Sequence, residues 1–300
     1  MKQRVLSALC ALCLAASLMG TAFAETYSVT LTAAEAGSDV PTLLTIPTQT
    51  PADVGVTPNR IVISAPVKGA VVEISVTGDA KDADVLFLKS DGTYDVAEDM
   101  VKGSSTVCTM LPETSATVIL LKKMPFSDVS RTAWYYSAAA YVYHNGLMGG
   151  TSDTKFSPSK TADRAMLATI LWRQAGKPGH GSGISFSDVS SGQYYTDAVL
   201  WAAENGIVTG SNGAFKPGGT MTRQELAVML YRYTQYVGQA TTGRADLSAY
   251  SDADKLSSWA KDAMAWAVSE GLIGGNGGKL NPTGSASRAE LATILMRYCN

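Results

Sequence analysis

Three arginines occupy the same position at the start of three similar helices, a placement suited to binding an anion. Thr222 with Glu225, and Ser287 with Glu290, have capping-box spacing before a stripe of apolar residues, which predicts an amphipathic helix. The third helix start begins with Asp163 instead. A cation in the first turn opposes the helix dipole, which favours acidic side chains there. The arginines predicted to meet an anion are Arg164, Arg223 and Arg288.

The chemistry of this arrangement is that of carboxylate recognition. A guanidinium presents a planar fork of N–H donors to a carboxylate, and the unpaired backbone N–H groups of a helix start lie beside it. In a structural alternative, each arginine pairs with a carboxylate of a nearby loop. Three arginines at one position favour anion binding over that alternative. The loop aspartates precede turns and are interpreted as backbone caps rather than ligands. They are Asp128, Asp188 and Asp252.

Aromatic and glycine residues near the loops extend the candidate site. Trp134 and Trp259 could stack on a sugar face or fill the core, and both interpretations are open. Tyr141, Trp201 and Trp266 lie in the middle of helices and are predicted to be core. Glycine loops make tight turns and also let a ligand approach the main chain closely. The candidate glycines are Gly149, Gly150, Gly210 and Gly274.

The sequence predicts no catalytic residue, metal site or cofactor. His144 closes one helix and His180 lies in a linker, and neither has a nucleophile or a metal-ligand cluster at a suitable spacing. Scattered acidic residues could form a glycosidase pair, but their repeated positions coincide with caps and turns. The chain is therefore predicted not to be an enzyme.

Residues 1–24 are predicted to be a secretory signal peptide. Lys2 and Arg4 form a charged start, Val5–Met19 is apolar, and Ala22–Ala24 matches a cleavage site. Cleavage would remove two cations and no acids, so the formal net charge would go from −2 to −4. That mild acidity argues against nucleic acids and anionic membranes as partners. No later apolar stretch is long enough to span a bilayer.

Residues 25–122 are predicted to form a small all-β domain, antiparallel and sandwich-like, with an irregular lead over 34–59. Short apolar runs alternate with turn signals, and Asp91-Gly92 between two of these runs predicts a hairpin. Two cysteines would remain after cleavage, too few for a disulfide framework, although a single bridge is possible. They are Cys108 and Cys299.

The rest of the chain consists of three repeats, predicted over 123–177, 183–236 and 246–300. Their starts at Phe126, Phe186 and Tyr250 lie 60 and 64 residues apart. Each reads as helix, glycine loop, short extended loop and second helix. One such unit buries little by itself, so the three should pack together. A mainly α bundle with pseudo-threefold symmetry around the second helices is the simplest closed arrangement, and an open solenoid is the alternative.

Four motifs recur in fixed order in these repeats, and together they resemble surface-layer homology (SLH) repeats over residues 125–300. The motifs are the Phe-Ser-Asp-Val start, the Trp-Tyr pair, the Gly-Leu/Ile-x-x-Gly stop and the Thr-Arg-Gln-Glu helix start. The resemblance implies a three-unit bundle that attaches secreted proteins non-covalently to a secondary cell-wall polysaccharide on peptidoglycan. It also implies that the motif arginine binds the carboxylate of a pyruvate ketal on that glycan.

Carried over to this chain, the resemblance assigns the cap residues Thr222, Ser287 and Asp163 to the glycan site together with the arginines. Repeat two matches the helix-start motif closely, and repeat three nearly so. Repeat one departs, because it has Asp163 in place of Thr and Met166 in place of Glu. An acid beside Arg164 weakens its positive potential, so we expect the Arg164 site to be the weakest.

The expected function is anchoring of a secreted, non-enzymatic protein to the bacterial cell wall through an acidic, pyruvylated secondary polysaccharide. Two alternatives place additional function elsewhere. In one, the β domain is an enzyme or receptor and the repeats are its tether. In the other, the chain is a small subunit of a surface layer, although residues 25–122 are short for building a lattice. The sequence does not indicate any protein partner of the β domain.

Overall fold

A computed structural model describes residues 14–17, 26–32, 60–64, 71–75, 83–97, 99–102, 106–113 and 115–300. The chain divides between Pro125 and Phe126 into two compact units. The predicted cleavage site at 22–24 and the irregular lead at 34–59 lie outside the described residues.

The N-terminal unit contains nine strands among the described residues, in two antiparallel sheets. They are β1 (Leu14–Ser17), β2 (Thr26–Thr32), β3 (Arg60–Ser64), β4 (Val71–Ser75), β5 (Ala83–Leu88), β6 (Tyr94–Val96), β7 (Asp99–Lys102), β8 (Thr106–Met110) and β9 (Ser115–Lys122). One sheet has the order β1-β2-β4-β8-β7 and the other β3-β9-β5-β6. The first strand lies inside the predicted signal peptide. The antiparallel sheets agree with the prediction, whereas their arrangement as a sandwich stays a prediction.

The hairpin predicted at Asp91-Gly92 is confirmed. Strands β5 and β6 pair with antiparallel register, and Gly92 adopts a φ of 84°, in the left-handed region that glycine enters without steric cost. The Asp91 carboxylate accepts hydrogen bonds from the backbone N–H and hydroxyl of Thr93 at 2.9 and 2.6 Å. Local turn chemistry was therefore sufficient to place this connection.

The C-terminal unit, all of whose residues are described, has two helices in each repeat. They are α1 (Tyr136–His144), α2 (Arg164–Gln174), α3 (Thr196–Glu204), α4 (Arg223–Tyr236), α5 (Lys261–Ser269) and α6 (Arg288–Cys299). Two short 3-10 turns, Ala253–Lys255 and Ser258–Ala260, precede α5. The predicted motif arginines are the first residues of α2, α4 and α6.

The repeats close into a ring. The first helix of each repeat packs against the second helix of the repeat before it, so α3 lies on α2 and α5 on α4. The ring closes because α1 of repeat one packs on α6 of repeat three. This arrangement is the closed bundle and not the open solenoid.

A cycle of three backbone hydrogen bonds lies at the centre of the ring. The N–H of Ala162 donates to the carbonyl of Ala286 at 2.8 Å, Ala286 donates to Met221 at 3.0 Å, and Met221 donates to Ala162 at 3.0 Å. All three residues are fully buried. Each of them lies two positions before a motif arginine, so this cycle fixes the positions of the three helix starts relative to one another.

The predicted core of the repeats is confirmed. Tyr141, Trp201 and Trp266 are at most 2% exposed. The first helices end, as predicted, at glycines with φ between 67° and 69°, a conformation in which a Cβ would be strained. These glycines are Gly146, Gly206 and Gly271.

The sulfur of Cys299, in the last turn of α6, accepts a hydrogen bond from the Gln174 amide at 2.9 Å. The side chain of Cys108 lies outside the described residues, so the possible bridge between the two cysteines stays a question raised by the sequence.

Candidate functional site

The helix starts are capped as predicted. In α4 the Thr222 hydroxyl accepts from the backbone of Glu225, and Glu225 Oε2 accepts from the N–H of Thr222 at 2.8 Å. Ser287 and Glu290 form the same capping box in α6. Asp163 caps α2 alone, accepting from the N–H of Met166 at 2.8 Å. The cap residues are thus committed to the backbone of their own helices.

Each motif arginine holds a loop of the next repeat. Arg164 donates from Nε to the carbonyl of Phe215 at 3.0 Å and from Nη2 to the carbonyl of Thr209 at 2.9 Å. Its guanidinium also lies 4.8 Å from the centre of the Phe215 ring. The equivalent acceptors are Leu280 and Gly274 for Arg223, and Phe156 and Gly149 for Arg288. Repeat three therefore reaches back to repeat one, and all three arginines have a structural role.

The remaining nitrogen of each guanidinium faces the helix start of the next repeat. Arg164 Nη1 lies 2.9 Å from Glu225 Oε1. Arg223 is paired in the same way with Glu290 at 3.4 Å. Arg288 faces Met166, whose sulfur is 3.4 Å from Nη1. The substitution of Met for Glu in repeat one thus removes the acidic partner of the repeat-three arginine.

The charge of Asp163 also acts on the arginine of repeat three, which was not expected. Burial lowers the pKa of Arg288, while the nearby carboxylates of Asp163 and Asp128 act in the opposite direction. Asp163 is part of the helix start that faces Arg288. The ranking of the Arg164 site as the weakest stays a prediction, and the charge of Asp163 at Arg288 is an effect that it did not include.

The backbone N–H groups at the helix starts are already bonded, contrary to expectation. In α4 the N–H of Arg223 donates to Gly284 at 2.9 Å and that of Gln224 donates to Pro282 at 2.9 Å. The starts of α2 and α6 have equivalent bonds to loop carbonyls. An anion would therefore meet the guanidinium and not the helix terminus. Each guanidinium has five N–H groups. Arg164 uses three of them in the contacts described above and retains two.

The loop aspartates bind backbone and do not pair with the motif arginines. Asp188 accepts from the N–H of Phe215 at 2.8 Å and from that of Lys216 at 2.7 Å. The alternative of three Arg–Asp ion pairs is therefore wrong. The aspartates were interpreted as caps of the turns that they precede, but they accept from N–H groups 27 to 29 positions later in the chain. The Phe215 residue is held from both sides, by Asp188 on its N–H and by Arg164 on its carbonyl. Equivalent pairs of N–H donors serve Asp128 and Asp252.

Acid should weaken the hydrogen bonds by which Asp128, Asp188 and Asp252 hold the loops. The N–H of Phe215 holds the pKa of Asp188 below its ordinary value near 3.8. For Asp128 and Asp252, burial alone would raise the pKa, but two backbone N–H bonds outweigh it and the pKa is lowered. Folded-state pKa values below the unfolded ones mean that the carboxylates stabilise the fold above about pH 4. That contribution is lost as the pH falls through the folded-state values.

Replacing Asp188 with Asn should lower the melting temperature at pH 7 and flatten its dependence on pH below 4. Asn offers one acceptor oxygen where two N–H groups need acceptors. Circular dichroism melts from pH 2 to 7 measure this, with Asp153→Asn on an exposed loop as the matched control. Equal melting temperatures for the two variants at pH 7 would show that the hydrogen bonds of Asp188 to the loop do not stabilise the protein.

Three exposed aromatic side chains occupy one equivalent position in the repeats. Trp134 is 69% exposed, Tyr194 63% and Trp259 56%. The alternative of core packing is therefore wrong for both tryptophans. Tyr194 was missed, although the aligned Trp-Tyr and Tyr-Tyr pairs could have identified it. Burial raises the pKa of Tyr194, as does the Asp163 charge, while Arg288 acts in the opposite direction.

One groove of about 640 Å³ brings all three repeats together around Arg164. Its walls include Glu225 and Arg232 of α4, Lys216 of the repeat-two loop, and Trp259 of repeat three. Lys216 and Arg232 were not predicted as site residues. Arg232 follows its motif arginine by nine positions, as do Arg173 and Arg297, and that recurrence was visible in the sequence.

The candidate glycines have two different roles. A Cβ on Gly150 or Gly210 would lie 2.5 Å from the ring of Phe126 or Phe186, so these two glycines are required for packing. Gly210 also lines the groove. A Cβ on Gly149 or Gly274 would meet no atom within 4 Å, and the carbonyls of these two glycines accept hydrogen bonds from Arg288 and Arg223.

Within the described residues, no group of three or more His, Cys, Asp or Glu side chains could hold a metal ion. The helices described in the structure are also too short or too polar to cross a membrane.

Comparison with known proteins gives three matches to the S-layer homology domain, at residues 125–166, 185–227 and 249–292. An endoglucanase from Bacillus sp. (strain KSM-635) is 31% identical over 173 residues, covering 57% of this chain and 18% of the relative. The surface-layer 125 kDa protein of Lysinibacillus sphaericus is 31% identical over 189 residues, covering 61% of this chain and 16% of the relative. The S-layer protein sap of Bacillus anthracis is 25% identical over 173 residues, covering 57% of this chain and 21% of the relative.

The chain spans about a fifth or less of the length of these relatives, and the aligned lengths are close to that of the three-repeat region. Proteins named as surface-layer components and one named as a glucanase thus share a segment of similar size with it. The repeats and these relatives support attachment to the cell surface. The chain is an S-layer homology domain protein of the cell surface, with three of these domains in its C-terminal part.

Proposed function

We propose that the three repeats anchor this protein to the cell wall by binding an acidic, pyruvylated secondary polysaccharide in the grooves between repeats. The observation that carries the proposal is the groove at Arg164, where a held guanidinium and an exposed Trp259 line one cavity. The two N–H groups that Arg164 retains can donate to a carboxylate, and the indole face can pack on the C–H groups of a sugar ring.

The groove suits a bound polymer better than a chemical reaction. Its arginine is fixed by two loop carbonyls and by Glu225, so it is held in position before any ligand arrives. A rigid guanidinium loses little conformational freedom on binding. We therefore propose a binding protein without enzymatic activity of its own.

An enzyme or receptor in the N-terminal unit, tethered by the repeats, is the second candidate. The endoglucanase among the relatives favours it, since that protein joins a similar segment to a much longer remainder. Assaying residues 25–122 against wall and plant polysaccharides separates the two, because the anchoring proposal expects no turnover. The third candidate, a surface-layer subunit, predicts ordered lattices of purified protein on glycan-stripped supports.

Replacing Trp259 with Ala should weaken binding to purified cell walls about fivefold, or ~1 kcal/mol, the scale of one aromatic contact. Because this side chain is 56% exposed, the melting temperature should stay unchanged. Sedimentation with walls measures the affinity. Val237→Ala is the matched control, since Val237 is an exposed apolar residue that does not line the groove.

Wild-type protein should lose wall binding when the secondary polysaccharide is chemically removed from the peptidoglycan. Undiminished binding to stripped walls would refute the proposal. A Trp259→Ala protein that binds walls like wild type would exclude this groove as the site.

A further inference from the structure

The grooves around Arg164, Arg223 and Arg288 differ in one loop residue. It directly follows the residue whose carbonyl accepts a hydrogen bond from the arginine Nε. It is Lys216 in the Arg164 groove, Asn281 in the Arg223 groove and Ser157 in the Arg288 groove. All three adopt left-handed backbone, with φ of 60°, 51° and 56°. Asn tolerates this conformation better than other residues with a side chain, and Lys has no such advantage.

Lys216 lies beside the arginine of the same groove. A Cβ on Gly219 would be 3.3 Å from Lys216 Cβ and 3.6 Å from Arg164 Cδ, so Gly219 separates the two cationic side chains. Arg232 lines the groove from α4. This groove therefore contains three cations and one acid, Glu225.

The positive charge in excess belongs to Lys216 and Arg232. Arg164 is paired with Glu225 at 2.9 Å. Among the described residues, no carboxylate lies within ion-pairing distance, 4.0 Å, of Lys216 or Arg232. Asp188 is near enough to Lys216 for the lysine charge to lower its pKa. Asp128 and Asp252 accept from backbone N–H groups in the equivalent way, so an acid at this position is common to all three grooves.

The other two grooves lack this combination. The counterparts of Arg232 are Arg297 and Arg173. Neither of their grooves has a lysine at the position of Lys216, although Lys160 of repeat one occupies the position of Gly219, and Lys155 and Lys279 occupy that of Ala214. Arg297 already directs Nη1 at the carbonyls of Gly271 and Leu272, both at 3.4 Å. The Arg288 groove also contains the Asp163 carboxylate. The Arg164 groove thus differs from the other two by having a lysine directly after the loop residue that the arginine holds.

We propose that Lys216 and Arg232 form a second anion contact in the Arg164 groove, so that this groove binds a glycan segment with two acidic groups. This inference rests on the proposed function and assigns a ligand class to one of its grooves. Arg164 contacts one carboxylate, and the cation pair contacts a further carboxylate or phosphate along the same polymer.

Calorimetry of the mature protein with two synthetic probes tests the proposal. One is a pyruvylated disaccharide, and the other is the same disaccharide extended by a phosphate-bearing sugar. Wild type should bind the dianionic probe more tightly at one site. The variant Lys216→Asn gives repeat two the residue that repeat three has at this position. It should weaken binding of the dianionic probe about threefold to fivefold, the scale of an exposed ion pair. It should leave the monoanionic probe unaffected.

Arg232→Gln should act on the dianionic probe in the same direction. Ser157→Lys should create a second tight site for the dianionic probe in the Arg288 groove. Equal effects of Lys216→Asn on both probes, or none on either, would overturn the second contact while leaving the anchoring proposal intact. A wild-type protein that binds neither probe would instead refute the glycan chemistry proposed above, and this inference with it.

Discussion

Deleting repeat three, residues 246–300, should abolish cooperative unfolding of the two repeats that remain. The truncation removes α6, on which α1 packs, and α5, which covers α4. It also breaks the cycle of backbone hydrogen bonds at Ala286, leaving the N–H of Ala162 and the carbonyl of Met221 without their partners. Units that bury their apolar faces only against neighbours lose stability when a neighbour is lost.

Calorimetry and circular dichroism of residues 126–245 measure this effect, with residues 126–300 as the control that keeps the closed ring. The control should melt in one sharp transition. A comparably sharp, native-like transition in the truncated protein would show that two repeats suffice, and would contradict the shared core.

Replacing Arg288 with Ala should destabilise the protein by about 3–5 kcal/mol, the scale for removing one partner from a buried charged network. Arg288 is only 4% exposed. Its loss leaves the carbonyls of Phe156 and Gly149 without the donors they now have at 2.8 and 2.6 Å. It also removes the contact of the guanidinium with the Phe156 ring at 4.7 Å. The melting temperature should fall by roughly 6–20 °C.

Arg223→Ala is the comparison, since Arg223 binds two equivalent carbonyls from a side chain that is 12% exposed, although it also pairs with Glu290 at 3.4 Å. The loss of stability in Arg223→Ala should be smaller than in Arg288→Ala, because water can reach the carbonyls that lose their donor. Equal losses in the two variants would contradict the importance of burial. For both variants, wall affinity is interpretable only at temperatures well below the measured melting point, because these arginines hold loops as well as facing a groove.

The local features of the site were predictable from sequence because their causes are local. Capping boxes act over three residues, and the helix-ending glycines act through their own φ angles. The identity of each arginine's neighbours was not predictable in this way. Arg288 binds carbonyls 132 and 139 positions earlier in the chain. Equal spacing of the motifs shows that the repeats are equivalent, but it does not show which one faces which.

The role of Asp163 illustrates this limit. Adjacency in sequence suggested only that its charge would act on Arg164, whereas ring closure lets it act on Arg288 as well. In the N-terminal unit, likewise, the hairpin at Asp91 followed from turn chemistry alone. The pairing of β4 with β8, more than 30 residues apart, depends on contacts that no local pattern specifies.

Closure of the ring also determines how a wall-bound molecule would carry mechanical load. Tension from the N-terminal unit enters the repeats at Phe126, whose ring lies 5.5 Å from that of Phe156. The carbonyl of Phe156 is bound by Arg288, near the opposite end of the chain. If the repeats bind the wall as proposed, we expect force applied at the first repeat to reach the third through these contacts, so that the repeats resist it together and do not unfold one after another.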